Sequence, residues 1–273
     1  MNLPGKKSLI TLLTDFGRKD HYVGTMKGVI LSINPQVNIV DLCHEIDQGD
    51  IDAAAFVLSA AYRYFSKGTI HLVVVDPSVG SERRALAVKT KDHYFIAPDN
   101  GVLSPVFRAE TDARVFHLTN KEYMLPEPGF TFHGRDVFAP VAAHLSTGMA
   151  VEKLGKPVDD FIVSRPTEPR LAGNKITGQV VYTDRFGNLV TNIARSYLRN
   201  VEEIRLDHIR LKAIVDYYGQ VEEGVAAALI GSHGNLEICI RNGNAATSLN
   251  VQKGDPVEVF SSRPVVEKNW TVP

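Results

Sequence analysis

The side chains best placed to do chemistry are gathered into short polar turns. Four turns lie in the first half of the chain: Thr14-Asp15-Phe16-Gly17, Asp76-Pro77-Ser78-Val79-Gly80 with Arg83-Arg84, Pro98-Asp99-Asn100-Gly101, and Thr131-Phe132-His133-Gly134-Arg135-Asp136. Two follow in the second half: Thr183-Asp184-Arg185-Phe186-Gly187-Asn188 with Thr191-Asn192, and Gly231-Ser232-His233-Gly234-Asn235-Leu236-Glu237 with Asn242-Gly243-Asn244-Ala245-Ala246. Several common chemistries are excluded by absent patterns. The chain has no GxxxxGK[ST] phosphate loop, no GxSxG nucleophile elbow and no HExxH zinc pair. Its nine histidines are scattered without ligand spacing, so no catalytic metal is expected.

The elements that must carry these turns alternate in type through the first half. A continuous apolar run from Ser8 to Leu13 reads as a buried strand that opens into the first turn. Val23, Met26, Ile30 and Ile33 recur at helical spacing over residues 22–33, and Asn34-Pro35 ends that helix. A strand over Asn38–Asp41 follows. Asp50 is then expected to cap a longer helix whose apolar face runs from Ile51 through Ala55, Leu58 and Tyr62 to Phe65. Strands over His71–Val75 and Tyr94–Ala97 run into Asp76 and into Pro98-Asp99. Asp15, Asp76 and Asp99 thus all stand just beyond strands, where functional loops of α/β sheets lie, although a strand-terminal aspartate also caps turns. A further helix is expected over Asp136–Leu145.

Prolines at 157, 166 and 169 mark a connector. Beyond it come short β-like runs at 175–183, 189–193, 204–214, 226–230, 236–240 and 256–260, separated by glycine and asparagine turns. The fold expected is an α/β domain over 1–165, with a central sheet flanked by helices. A linker over 166–174 leads to a smaller all-β, barrel-like domain over 175–263 and a tail over 264–273.

Composition narrows the partners. Thirty basic residues against thirty-one acidic ones leave a net charge of -1, without the long single-sign runs that nucleic acid or membrane surfaces attract. Cys43 and Cys239 are too few for a disulfide framework and fit a reducing compartment. The apolar stretch after Lys6 and Lys7 is too short for a signal peptide, and no run is long enough to span a bilayer. A cytoplasmic protein is expected, with no nucleic-acid or membrane partner.

Taken in order, the six turns resemble those of the S-adenosylmethionine hydroxide adenosyltransferases, relatives of halogenating enzymes that attack the same carbon with halide. The resemblance runs from about Ile10 to Phe260. It implies an N-terminal α/β domain joined to a C-terminal β-barrel, and a homotrimer with active sites at subunit interfaces. It implies no cofactor, since S-adenosylmethionine is itself the substrate and adenosine and methionine are the products. The reacting group of hydrolytic members is similar to Asp76, Arg83 and His133. Substrate-binding positions implied by the resemblance are Asp15 at the ribose hydroxyls, Asp184 at the methionine ammonium, Phe186 and Asn188 at the adenine, Ser232 near the methionine carboxylate and the Ala245 backbone near the base. Asn100 joins this set. At His233 the halogenating relatives carry arginine.

The halide users typically place an aromatic hydroxyl at the position of Asp76. A carboxylate there repels an incoming halide by roughly 4 kcal/mol at about 4 Å and an effective dielectric of about 20, which favours water as nucleophile. The leaving sulfur departs as neutral methionine and needs no acid. Catalysis then reduces to holding one water in line with C5′, with Asp76 as water holder first and proton acceptor second. An arginine partner makes that carboxylate a weaker base, while burial acts the other way. His133 is expected to donate to the same water or to hold Asp76. A halogenase using chloride or a heavier halide, and a non-catalytic binder of S-adenosylmethionine or adenosine, are the alternatives.

Overall fold

The structure is a computed structural model and describes residues 8–265, so the expected tail lies outside the described residues from 266 onward. The chain forms two compact units, residues 1–165 and 166–273.

The first unit is built in the order β1 (Leu9–Thr14), α1 (Tyr22–Ile33), β2 (Asn38–Cys43), α2 (Ile51–Ala61), β3 (Ile70–Val74), β4 (Ala85–Lys89), β5 (Tyr94–Pro98), α3 (Ser104–Ala109), β6 (Arg114–Leu118), α4 (Ala139–Ser146) and β7 (Gly155–Pro157). Its seven strands make one sheet in the order β2-β1-β3-β5-β4-β6-β7. The strands β2, β1, β3 and β5 run parallel, whereas β4, β6 and β7 join antiparallel. β3 is buried at every position, so its sequence does not alternate apolar with polar residues, and its one polar side chain, His71, is buried as well.

Helices cover both faces. Successive side chains of a strand point to opposite faces, so Ile10, Leu12, Leu72 and Val74 share one core with Met26 and Ile30 of α1 and Val141 and Leu145 of α4. On the opposite face α2 and α3 pack together, and Tyr62 closes against Phe95 and His71. Asp50 caps α2 as expected, its side chain accepting from the Ala53 amide at 2.9 Å. The α-helix ends at Ala61 and tightens into a 3₁₀ turn over Tyr62–Tyr64, short of the expected Phe65. Strands β4, β6 and β7 and helix α3 carry no expectation from the sequence. The expected helix over 136–145 begins instead with a π-helical turn, Gly134–Phe138, before α4.

The second unit contains β8 (Arg170–Ala172), β9 (Lys175–Thr183), β10 (Leu189–Ala194), β11 (Val201–Leu206), β12 (Ile209–Leu211), β13 (Ile214–Val215), β14 (Ala226–Ile230), β15 (Asn235–Ile240), α5 (Ala245–Leu249) and β16 (Pro256–Ser261). They form a nine-stranded, nearly closed barrel-like sheet around Ile176, Val180, Ile193, Ile204, Ile238 and Val257. Residues 170–172, within the stretch read as linker, pair with β9 as a strand. The single run read over 204–214 is a hairpin: Asp207 takes a left-handed conformation (φ 51°) that reverses the chain between β11 and β12.

His71 sits fully buried on β3, bonded through Nδ1 to Thr11 Oγ1 at 2.8 Å and ringed by Tyr62, Phe65, His93 and Phe95. Burial, and next the nearby His93, push its pKa down to about 3. The unfolded chain binds this proton near pH 6.5 and the folded chain does not, so the neutral ring's contribution is intact above 6.5 and is lost as pH falls toward 3. Urea unfolding of His71→Gln between pH 6.5 and 4 is expected to show a shallower loss of stability than the parent, by up to about 1.4 kcal/mol per pH unit. Parallel pH profiles would contradict this.

Candidate active site

The parallel register brings the first two aspartates together. Thr14 of β1 pairs with Val74 of β3, so Asp15 and Asp76, one and two residues further on, emerge side by side at the carboxyl edge of the sheet. β4 enters antiparallel from that same edge, which returns Arg83 toward Asp76 after a seven-residue excursion. Arg83 Nε donates to Asp76 Oδ2 at 2.8 Å, and Nη2 bonds the same oxygen. Both side chains are over nine-tenths buried. Phe138 of the π-helical turn lies under the guanidinium, 5.2 Å from its carbon.

His133 stands at the start of that turn, and its Nδ1 is 2.9 Å from Arg83 Nη2. Arginine can only donate, so Nδ1 accepts and the neutral ring carries its proton on Nε2. His133 is therefore joined to Asp76 through Arg83. Burial, and next the Arg83 charge, hold the His133 pKa below its ordinary value, which keeps the ring neutral at pH 7. The other carboxylate oxygen, Asp76 Oδ1, is buried and has no hydrogen-bond partner among the described residues. An unsatisfied buried carboxylate oxygen costs free energy, and it marks a position suited to a small donor.

Asp15, Asp76 and His133 line one cavity of about 630 Å³, with Phe16, Tyr22 and Phe132 as an aromatic wall. That volume falls within the roughly 300–1,000 Å³ of small-molecule sites. Asp15 accepts from the Gly49 amide at 2.9 Å, and its pKa is raised by burial and by the neighbouring Asp76 charge. Gly80 seats the segment leading to His133. At φ 81°, a Cβ there would lie 2.3 Å from the Phe130 carbonyl oxygen, so only glycine fits. The aromatic wall and Gln48 carry no role in the sequence reading, although Phe16 and Phe132 lie inside the polar turns that flagged the site.

Other flagged residues serve the scaffold. Asp99 is paired with Arg84 at 2.8 Å and accepts from the Ile162 amide, because adjacent side chains at the start of β4 point opposite ways, Arg83 inward and Arg84 outward. Asn100 donates to the Val75 carbonyl and accepts from the Val102 amide; it braces the backbone just before Asp76 and is not among the residues that line the cavity.

In the second unit Asp184 organises its own turn. Its Oδ1 accepts from the amides of Phe186 and Asn188, and its Oδ2 from the Asn188 side chain. Gly187, at φ 84°, allows the Asn244 side chain to approach within 2.1 Å of where a Cβ would stand, and the Ala246 amide bonds its carbonyl. The turn is thereby fastened to α5, which opens at the buried Ala245. Phe186, three-quarters exposed, borders a cavity of about 500 Å³ with Asn188, Tyr218, Arg241 and Asn244. Ser232 is exposed, while His233 Nε2 faces the buried Glu237 at 3.3 Å. Among the described residues no group of three or more His, Cys, Asp or Glu side chains is placed to hold a metal, and no helix is long and apolar enough to cross a membrane.

The His133–Arg83 contact can be tested without substrate. In NMR titrations His133 is expected to protonate below pH 6.5 in the parent, and Arg83→Met should move that midpoint upward by removing the adjacent cation. An unchanged midpoint would contradict the contact.

Comparison with known proteins identifies the family. Residues 10–155 match the SAM hydroxide adenosyltransferase N-terminal domain and residues 178–258 the C-terminal domain. The (R)-S-adenosyl-L-methionine hydrolase of Thermus thermophilus is 35% identical over 92% of this chain and 99% of its own length. The corresponding hydrolase of Methanocaldococcus jannaschii is 34% identical over 92% and 95%. The fluorinase of Nocardia brasiliensis is more distant, at 28% over 93% and 97%. A crystal structure of an uncharacterized conserved protein from Thermotoga maritima superposes with a TM-score of 0.86 at 38% identity, covering 92% of this chain and 99% of that one. The chain belongs to the SAM hydroxide adenosyltransferase family.

Proposed function

We propose that this protein hydrolyses S-adenosyl-L-methionine to adenosine and L-methionine by attack of water at C5′. The observation that carries the reading is a buried carboxylate at the cavity whose Oδ2 is fixed by Arg83 while its Oδ1 has no hydrogen-bond partner among the described residues. The relatives named as hydrolases are 32–35% identical to this chain, above the fluorinases at 25–28%.

Asp76 Oδ1 accepts one hydrogen of the attacking water and aims its oxygen at C5′. As the C5′–O bond forms, the C5′–S pair leaves on sulfur, and the sulfonium becomes the thioether of methionine. The water's surplus proton passes to Asp76 and then to solvent. His133, neutral with Nε2–H, orients the water or the ribose oxygen beside it. Placing the water is worth several kcal/mol, up to roughly 7–11 in the best cases, and the proton acceptor about 10²- to 10⁴-fold. The negative Asp76 disfavours halide at the same place.

Asp15 takes the ribose hydroxyls, Asp184 the methionine ammonium, Phe186, Asn188 and the Ala245 backbone the adenine, and Ser232 the methionine carboxylate. Asn100 completes the substrate-binding set, its side chain also bracing the Val75 carbonyl. The enzyme works in the cytoplasm as a homotrimer with sites at subunit interfaces, and S-adenosylmethionine chemistry here requires no added cofactor.

Incubation of the purified protein with S-adenosyl-L-methionine should release adenosine and methionine in equal amounts. Asp76→Ala should lower kcat by at least about 10²-fold with a smaller change in KM. Release no faster than the uncatalysed reaction would sink the reading, and a 5′-halo-adenosine formed in a salt-dependent manner would replace it with a halogenase.

A further inference from the structure

A second polar network lies behind the loop that carries Asp15. Thr14 Oγ1 is 2.9 Å from His44 Nδ1, and both residues are at least 98% buried. The Thr14 oxygen also accepts from the Phe16 amide at 3.3 Å; with the ring proton on Nε2, toward Asp41, Nδ1 accepts from the Thr14 hydroxyl. His44 Nε2 is 3.1 Å from Asp41 Oδ1, a polar contact in which the N–H is not aimed squarely at the oxygen. Asp41 Oδ2 in turn accepts from Lys27 Nζ at 2.7 Å. The His44 carbonyl closes the loop's far end by accepting from the Gly17 amide at 2.7 Å.

The loop 14–17 is thus gripped at both ends by one residue, His44, which stands just after β2. Between the two grips lie Asp15 and Phe16, both lining the cavity. Asp15 also accepts from the Gly49 amide, and the Asp76 charge is near enough to raise its pKa after burial. The two His44 contacts fix both ends of the segment that carries Asp15.

We infer that Thr14, His44 and Asp41 form a positioning relay that holds the Asp15 carboxylate at the depth needed to accept both ribose hydroxyls of the substrate, and so sets the enzyme's preference for ribose over deoxyribose. This rests on the reading of Asp15 as the ribose-binding carboxylate. The relay touches no substrate; it acts through the loop. Lys27 fixes the outer carboxylate; the Thr14 and His44 side chains are buried, whereas those of Asp41 and Lys27 are both about one-third exposed.

The test compares kcat/KM for S-adenosylmethionine with that for its 2′-deoxyribose analogue. Asp15→Asn should collapse the preference for the ribose substrate; if it does not, the ribose reading of Asp15 itself fails. With that control in place, Thr14→Val, which keeps the volume and removes the hydroxyl, should reduce the preference about tenfold, below the roughly hundredfold that a 1 Å misplacement can cost. Thr14→Ser should retain it. Asp41→Asn, at a partly exposed site that does not threaten folding, should reduce it in the same direction by a smaller factor. Should Thr14→Val and Asp41→Asn slow both substrates equally while Asp15→Asn still collapses the preference, the network is only structural and the inference is overturned.

Discussion

The Asp76–Arg83 pair is the interaction on which the rest of the site depends. A carboxylate this deeply buried is tolerated only with a cation and hydrogen bonds at hand, and removing one partner of such a pair costs about 3–5 kcal/mol. Here the arginine engages a single oxygen and leaves the other, buried, without a hydrogen-bond partner among the described residues. The arrangement keeps a negative charge inside the protein while reserving one lone-pair face for a reactant. It also orders the histidine, because the same guanidinium nitrogen that grips Asp76 donates to His133 Nδ1.

Sheet topology explains how three residues so far apart in sequence meet. Parallel β1 and β3 release Asp15 and Asp76 at one edge, and antiparallel β4 brings Arg83 back to it. The π-helical turn at Gly134–Phe138 then sets His133 above the arginine and Phe138 beneath it. Such a turn widens the helix by one residue and recurs at functional sites. The mixed sheet is therefore part of the chemistry, since an all-parallel continuation would carry Arg83 to the opposite edge.

The elements with strong periodicity were legible in the sequence: α1, β9 and β14 lie where their apolar patterns put them. β4, β6 and β7 were not, because each is a run of three to five residues that includes a charged residue or proline. Among site residues, an aspartate beyond a strand looks the same whether it binds or caps. Asp76 and Asp15 face the cavity, whereas Asp99 is consumed by Arg84 and Ile162. That distinction depends on which of two adjacent arginines points inward, a consequence of where β4 starts. Asp184 shows a third outcome, a carboxylate that builds its turn and keeps acceptor capacity on Oδ2. The His44 relay had no local signature, because Thr14 and His44 are joined only by the pairing of β1 with β2.

The central claim is that a water held by Asp76 forms a new bond to C5′. Turnover in ¹⁸O-labelled water followed by mass spectrometry of both products tests it most directly. The account predicts one ¹⁸O atom in adenosine, at the 5′-oxygen, and none in methionine. Unlabelled adenosine, or label appearing in a fragment of the amino-acid side chain, would contradict it.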